Sequence, residues 1–134
     1  MHKLSESYKA IALMAPTGQT TTGTGTAVDL GIGYCDDLVV LLQTGPVGGT
    51  TPTCTMTIQV STDNSNWVTG ATFTALDAGS GNKLACAGIA MSGAYRYVRA
   101  SYVIGGTTPN FSLGLILLAR KQEGSSTVNS LTVA

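Results

Sequence analysis

Two stretches of this chain alternate polar and apolar residues closely enough to limit what it can fold into. In TCTMTIQV, residues 53–60, Cys54, Met56, Ile58 and Val60 share one parity, and Thr53, Thr55, Thr57 and Gln59 share the other. In NFSLGLIL, residues 110–117, Phe111, Leu113, Leu115 and Leu117 share a parity, while Ser112 and Gly114 begin the other. Successive side chains of an extended chain point to opposite faces, so period two describes a strand with one buried face.

The five residues GGTTP occur twice, at 48–52 and 105–109, each time just ahead of such a stretch. In front of the two copies lie DLVVLLQTG and YRYVRASYVIGG, rich in residues that suit a pleated, half-buried surface. Glycine reaches positive φ without steric cost, and proline is tolerated at the first residue of a strand. Each copy is therefore read as a hairpin connection, a structural device rather than a catalytic signature.

Further strand candidates cover residues 26–30, 38–43, 53–61, 67–76 with a break at Gly70, 83–90, 95–104 and 110–119. Gly-rich or Asn-rich turns at 31–33, 62–66, 77–82 and 91–93 separate them. Near the N-terminus, SESYKAIALMA has a helical reading through Ser5, Leu4, Tyr8 and Ile11. Tyr8, Ala10, Ala12 and Met14 also fit period two, and the extended reading is preferred. With that arm counted, the expectation is an all-β, antiparallel β-sandwich or jelly roll of about eight strands with extended N- and C-terminal arms. Residues 1–25 form the arm and a Thr/Gly-rich linker, 26–120 the sandwich, and 121–134 a polar tail expected to be disordered alone.

Only 10% of the 134 residues are charged, against about 25% in an ordinary soluble domain, while 43% are hydrophobic. Such a skin fits a protein packed against copies of itself or a larger assembly. Seven basic residues balance seven acidic ones, and the basic residues are scattered, which excludes the stripe a nucleic acid partner requires. No apolar run approaches the ~20 residues of a membrane-spanning helix. AIALMA, preceded by Glu6, is too short for the core of an export signal, so synthesis in a reducing cytoplasm is expected. Cys35, Cys54 and Cys86 are odd in number and widely spaced, and they read as small buried hydrophobes rather than a disulfide or zinc framework.

Chemistry is thinly supplied. The single histidine, His2, stands in the terminal arm, which leaves no triad and no proton shuttle. Asp36 and Asp37 are neighbours on an extended chain and cannot converge as an acid/base pair. Asp63, Asn64 and Asn66 offer oxygen atoms in a tight turn, but local backbone bonding explains those residue types without a cation. The expectation is no enzyme, no cofactor, no metal and no small-molecule substrate.

The remaining candidates belong to interfaces. Trp67, the only tryptophan, opens an apolar strand and reads as a core or interface anchor, with an exposed sugar-stacking ring as the other reading. Ile116 and Leu118 make the second face of the last strand apolar, so it is either central or covered by another chain. Tyr95 and Tyr97 face one side of a second two-faced strand, and Arg96 and Arg99, an odd distance apart, are placed on opposite sides.

TAVDLGIG, IQVSTDNSNWVTGATFTAL and above all YRYVRASYVIGGTTPNFSLGLIL resemble tailed-phage virion proteins, most specifically the small jelly-roll head-decoration or capsid cement proteins. The resemblance covers residues 26–119. It implies a virion protein on the outer surface of the capsid, bridging neighbouring copies of the major capsid protein as a homo-oligomer, dimer or trimer, and it carries over no catalytic residue. The other reading is a sandwich in a tail, neck or fibre that binds host carbohydrate or a receptor.

Overall fold

The structure is a computed structural model that describes residues 8–30, 35–90 and 95–121. The His2 and Ser5 readings, the turns at 31–33 and 91–93, and the polar tail from Gln122 lie outside the described residues. Among the described residues seven strands are assigned: β1 (Tyr8–Gln19), β2 (Gly23–Thr24), β3 (Val28–Asp29), β4 (Cys35–Ser61), β5 (Trp67–Thr72), β6 (Leu84–Ala90) and β7 (Tyr97–Lys121). A single 3-10 turn, Ala78–Ser80, interrupts them.

Two strands are far longer than the rest, and they pair with each other antiparallel along their whole length, from Cys35 opposite Lys121 to Ser61 opposite Tyr97. Each serves twice. Residues 35–48 of β4 and 110–121 of β7 form the middle of a first sheet, with β1 on one edge and β6 on the other. Residues 53–61 of β4 and 97–105 of β7 form the middle of a second sheet, flanked by β5 and by the interrupted edge made of β2 and β3. With β2 and β3 taken as one strand and the long strands halved, the sheet orders in chain sequence are 1-8-3-6 and 2-7-4-5. First pairs with last, second with seventh, third with sixth and fourth with fifth. That is a long hairpin rolled into an eight-stranded antiparallel jelly roll.

The alternation seen in the sequence sorts the faces. Leu38, Val40 and Leu42 with Leu113, Leu115, Leu117 and Ala119 line the inner face of the first sheet; Cys54, Met56, Ile58 and Val60 with Val98, Ala100 and Tyr102 line that of the second. Phe111 is fully buried where the two meet. Each of the Val, Leu, Ile, Met and Phe side chains among them contributes about 1.5–3 kcal/mol when taken wholly out of water.

The GGTTP copies are not hairpin connections, which corrects the expectation above. The chain does not reverse at either one. It runs on, and the two copies lie against each other: Gly48 is opposite Asn110, Thr50 opposite Thr107 and Thr53 opposite Gly105. Gly49 and Gly106 take φ of 103° and 108°, and Thr51 and Thr108 both take 46°. A Cβ on Gly49 would stand 2.6 Å from the Thr108 carbonyl oxygen, and one on Gly106 would stand 2.6 Å from that of Thr51. The repeat is a reciprocal corner, where both strands bend together and pass from one sheet to the other without losing each other. Parity alone could not separate this from a hairpin, because the pairing partner lies some sixty residues away.

Residues 8–19, read as an arm, pair with β7 from Tyr8 opposite Arg120 to Gln19 opposite Phe111. The Thr/Gly segment behind them lies along the same strand. Tyr102 Oη donates to Gln19 Oε1 at 3.0 Å, and Thr22 Oγ1 accepts from the Ile104 amide at 2.9 Å. On the opposite side, buried Thr44 donates to the Ser80 carbonyl at 2.6 Å and accepts from the Lys83 amide at 2.9 Å, which fixes the 77–82 loop to β4.

The reciprocal corner predicts matched penalties. Gly49→Ala and Gly106→Ala each destabilise the protein by about 2 kcal/mol or more, through positive φ and backbone collision together. Gly48→Ala, whose Cβ meets nothing closer than Asn110 Cβ at 3.8 Å, costs less than about 1 kcal/mol. Denaturant unfolding of the three variants checks the pattern.

Candidate interaction surfaces

The outer face of the first sheet carries the second parity of four strands. Register places Ala10, Leu118, Val39 and Gly88 in one row and Ala12, Ile116, Leu41 and Cys86 in the next, followed by Gly114, Gln43 and Leu84. No charged residue stands in these rows. Ile116 is 45% exposed and Leu84 69%, while Val39, Leu41 and Leu118 are half-buried by their neighbours. The β1 bulge between Ala12 and Met14 displaces Met14 and Pro16 toward the sheet, and a groove of about 780 Å³ lies between them and Gln43 and Leu84. Gly114 forms its floor. A Cβ there would meet Pro16 Cγ at 3.3 Å, so a side chain would push the proline outward by a few tenths of an ångström. Apolar surface on the outer as well as the inner side of one sheet is the kind that proteins use for interaction.

The outer face of the second sheet is polar. Thr53, Thr55 and Thr57 run down β4, and Thr57 stands in register with Ser101 and Thr72. At the lower end the Arg99 guanidinium lies 4.3 Å from the centre of the Trp67 ring, and its Nε donates to Gln59 Oε1 at 2.7 Å. Arg96 forms a two-pronged pair with Asp29 at 2.6 and 2.7 Å and sits 5.3 Å from the Tyr97 ring. The hydrogen bond to Asp29 raises the Arg96 pKa further, although an exposed pair of this sort adds little stability.

The interface candidates therefore divide between two surfaces. Ile116 and Leu118 belong to the apolar face. Trp67, Tyr97, Arg96 and Arg99 gather on the polar one, and Tyr95 packs partly buried against the core. The placing of Arg96 and Arg99 on opposite sides is corrected by their contacts: both guanidiniums reach rings of the same face. Arg96 precedes β7, where strict alternation has not begun. Val39, Leu41, Met14, Leu84 and Cys86 were missed as surface residues. For Val39 and Leu41 the signal was present in LVVLL, residues 38–42, which is apolar on both parities as the 113–119 strand is.

Asp63 is the centre of the 61–66 turn. Its Oδ1 accepts from the amides of Ser65 at 2.9 Å and Asn66 at 2.8 Å and from the Ser61 hydroxyl at 3.0 Å; its Oδ2 accepts from Asn66 Nδ2 at 2.7 Å. The two amides, Asn66 first, hold the carboxyl well below the usual carboxylate range. Its lone pairs are committed to the chain's own donors, as a turn requires. Among the described residues no group of three His, Cys, Asp or Glu side chains gathers.

The cysteines differ. Cys54 is buried, and desolvation pushes its thiol up to about 11. Cys86, expected to be buried, is exposed on β6, because that strand lies at the edge of the sheet and turns this parity outward. The side chain of Cys35 lies outside the described set.

These surfaces stand on a jelly-roll β-sandwich, and the fold is the class that the comparisons share. No family model matches the chain, and no curated protein sequence matches it. Among solved structures it is similar to the PBSX exported protein XepA, at 20% identity and a TM-score of 0.56 over 98% of this chain and 43% of that one. It is similar to a chain of the infectious bursal disease virus Gx strain, at 15% identity and a TM-score of 0.51 over 96% and 32%. The SPBc2 prophage-derived protein YomS follows at 11% and 0.49, over 84% and 93%. This chain spans less than half the length of XepA and about a third of the viral chain.

Two measurements check the local chemistry. A maleimide reagent modifies Cys86 in the native protein at neutral pH and Cys54 only on unfolding, as peptide mapping reads site by site. The Asp63 carboxyl, with its folded pKa depressed, supports the turn above the unfolded value of about 3.9 and releases it only as pH falls through the folded value. The Ser65 and Asn66 amide resonances accordingly hold steady through the ordinary carboxylate range and shift below it.

Proposed function

We propose that this protein is a non-enzymatic virion structural protein that binds the outer surface of an assembled phage capsid and stabilises it by bridging neighbouring major capsid proteins. One observation carries the reading. The outer face of the first sheet, from Ala12 to Leu84, presents a largely apolar groove, with Lys83 the one charged residue in its lining, that no other described segment covers. Such a surface has a use when it is tiled against another protein, and many modest contacts repeated around a closed shell add up to strong retention. The motifs spanning residues 26–119 support the phage setting. The fold shared with XepA and with a viral chain agrees with it.

The carbohydrate-binding reading has weaker support. It requires an open aromatic platform with a cleft beside it, whereas Arg99 lies on the Trp67 ring and the groove on the first sheet is not lined by that residue. No partner molecule other than the shell protein and further copies of itself is assigned.

Purified protein mixed with shells lacking it is expected to bind saturably and to raise the temperature at which the shells come apart. Ile116→Asp weakens that binding about tenfold or more, roughly 1.4 kcal/mol, with the melting of the free protein little changed. Sedimentation of shells with labelled protein reads the first, and calorimetry the second. Equal occupancy by the variant and the parent would remove the apolar face from the interface.

A further inference from the structure

Four strand edges border the two sheets, and three carry features that discourage another chain from pairing. β1 has two register shifts and contains Pro16. The β2/β3 edge is reduced to two dipeptides, one of them anchored by the Asp29–Arg96 pair. β5 has a register shift. β6 has no such protection. LACAGIA contains no charge and no proline, and it pairs with β4 over seven consecutive residues without a break and with no other described strand. Leu84, Ala85, Cys86 and Gly88 are all exposed. A flat, uncharged, unpaired edge is a template for a further strand.

The sandwich is also open beneath this edge. A cavity of about 370 Å³ separates β6 from residues 72–76, lined by Leu42 and Phe73 of the core and by Ala85 and Ala87 of the strand. Backbone donors and acceptors and apolar surface are thus uncovered at the same place.

We propose that β6 pairs with β6 of a second copy, antiparallel about a two-fold axis. An antiparallel edge is complementary to itself, since each strand offers the other the same pattern of N–H and C=O groups. Because β6 carries no charge, identical strands meet without like-charge contact. The nearest charge, Lys83, stands just before the strand, so antiparallel pairing sets the two lysines roughly 25 Å apart, whereas parallel pairing would place them side by side. Small side chains from Ala85 to Gly88 let the backbones approach to ladder spacing. The product is one continuous sheet, β1-β7-β4-β6 joined to β6-β4-β7-β1 of the second copy, with both apolar grooves on the same surface. A seven-residue ladder is small against the about 1,200 Å² that a stable dimer buries, so the dimer is weak and depends on concentration. This pairing goes beyond shell binding and does not require it.

The test uses the full chain. Sedimentation from about 1 µM to about 1 mM is expected to show the mass rise from one chain to two, with Ala85→Lys remaining at one chain and keeping its circular dichroism spectrum and melting temperature. Hydrogen exchange on the unmodified protein supplies a reading that needs no variant: β6 amides gain protection as concentration rises, and β1 amides do not. A single chain across the whole range overturns the proposal, as does a dimer that survives Ala85→Lys or leaves the β6 amides unprotected. Shell binding is scored separately. A dimer that ignores shells sustains this inference and removes the capsid reading, and a lone chain that coats shells does the reverse.

Discussion

Two long strands that never release each other hold this fold together, and they can do so only because both bend at the same point. A jelly roll needs its central pair of strands to leave one sheet and enter the other. If one strand bent alone, several ladder hydrogen bonds would break, and each buried donor or acceptor left unpaired costs about 1–3 kcal/mol. The facing GGTTP segments avoid this by copying the same bend. Gly49 stands against the carbonyl of Thr108, Gly106 stands against that of Thr51, and the two threonines share a left-handed conformation. That conformation costs of order 1 kcal/mol for each threonine, which the continuous ladder on either side offsets. The core follows from the corner, since the inner parities of both long strands can face one another only once the sheet has been folded over.

Much of this was legible in the residues, and what was not has a physical reason. Period two assigned Phe111, Leu113, Leu115 and Leu117 and Cys54, Met56, Ile58 and Val60 to the inside, and all eight are buried. Parity is a local property, fixed by the pleat of one strand. It carries no information about which strand lies alongside, so the GGTTP segments looked like turns between neighbours in sequence when they join neighbours in space. The same limit applies to Cys86. Its apolar surroundings are real, but whether such a strand is central or at an edge depends on the roll of the whole chain. For Ile116 and Leu118, parity identified a second apolar face, and only the topology decided that it points out of the sandwich. The arginines show the limit from another side, because Arg96 lies just before its strand and a long side chain reaches where its Cα does not point.

The two outer faces divide the polar and apolar surface between them. On the second sheet, threonine and serine hydroxyls hydrate readily without charge, and the few charged groups are engaged: Arg99 with Trp67 and Gln59, Arg96 with Asp29. On the first sheet the rows beside the groove are Ala, Val, Leu, Ile and Gly with Gln43 and Cys86, and Lys83 is the one charged residue that lines the groove. A chain that needed only to remain soluble would gain by spreading its seven basic and seven acidic residues over both faces. Keeping charge sparse on one face lowers the desolvation cost of covering it, which is the larger obstacle to burying a polar surface against a partner.

The apolar face and the bare β6 edge adjoin, and that adjacency bears on how so small a domain could hold a large assembly. A groove of this size, lined by a handful of aliphatic side chains, offers modest affinity to any single site. Two grooves fixed side by side on one continuous sheet convert the second contact into an intramolecular one, and its effective concentration is then set by the geometry of the pair rather than by diffusion. A rigid ladder does this better than a flexible linker because little further freedom is lost when the second groove engages. Under the proposed pairing an edge strand without charge or proline is tolerable: an edge that is regularly covered is not exposed to indiscriminate pairing, and the residues that would protect it would also prevent its use.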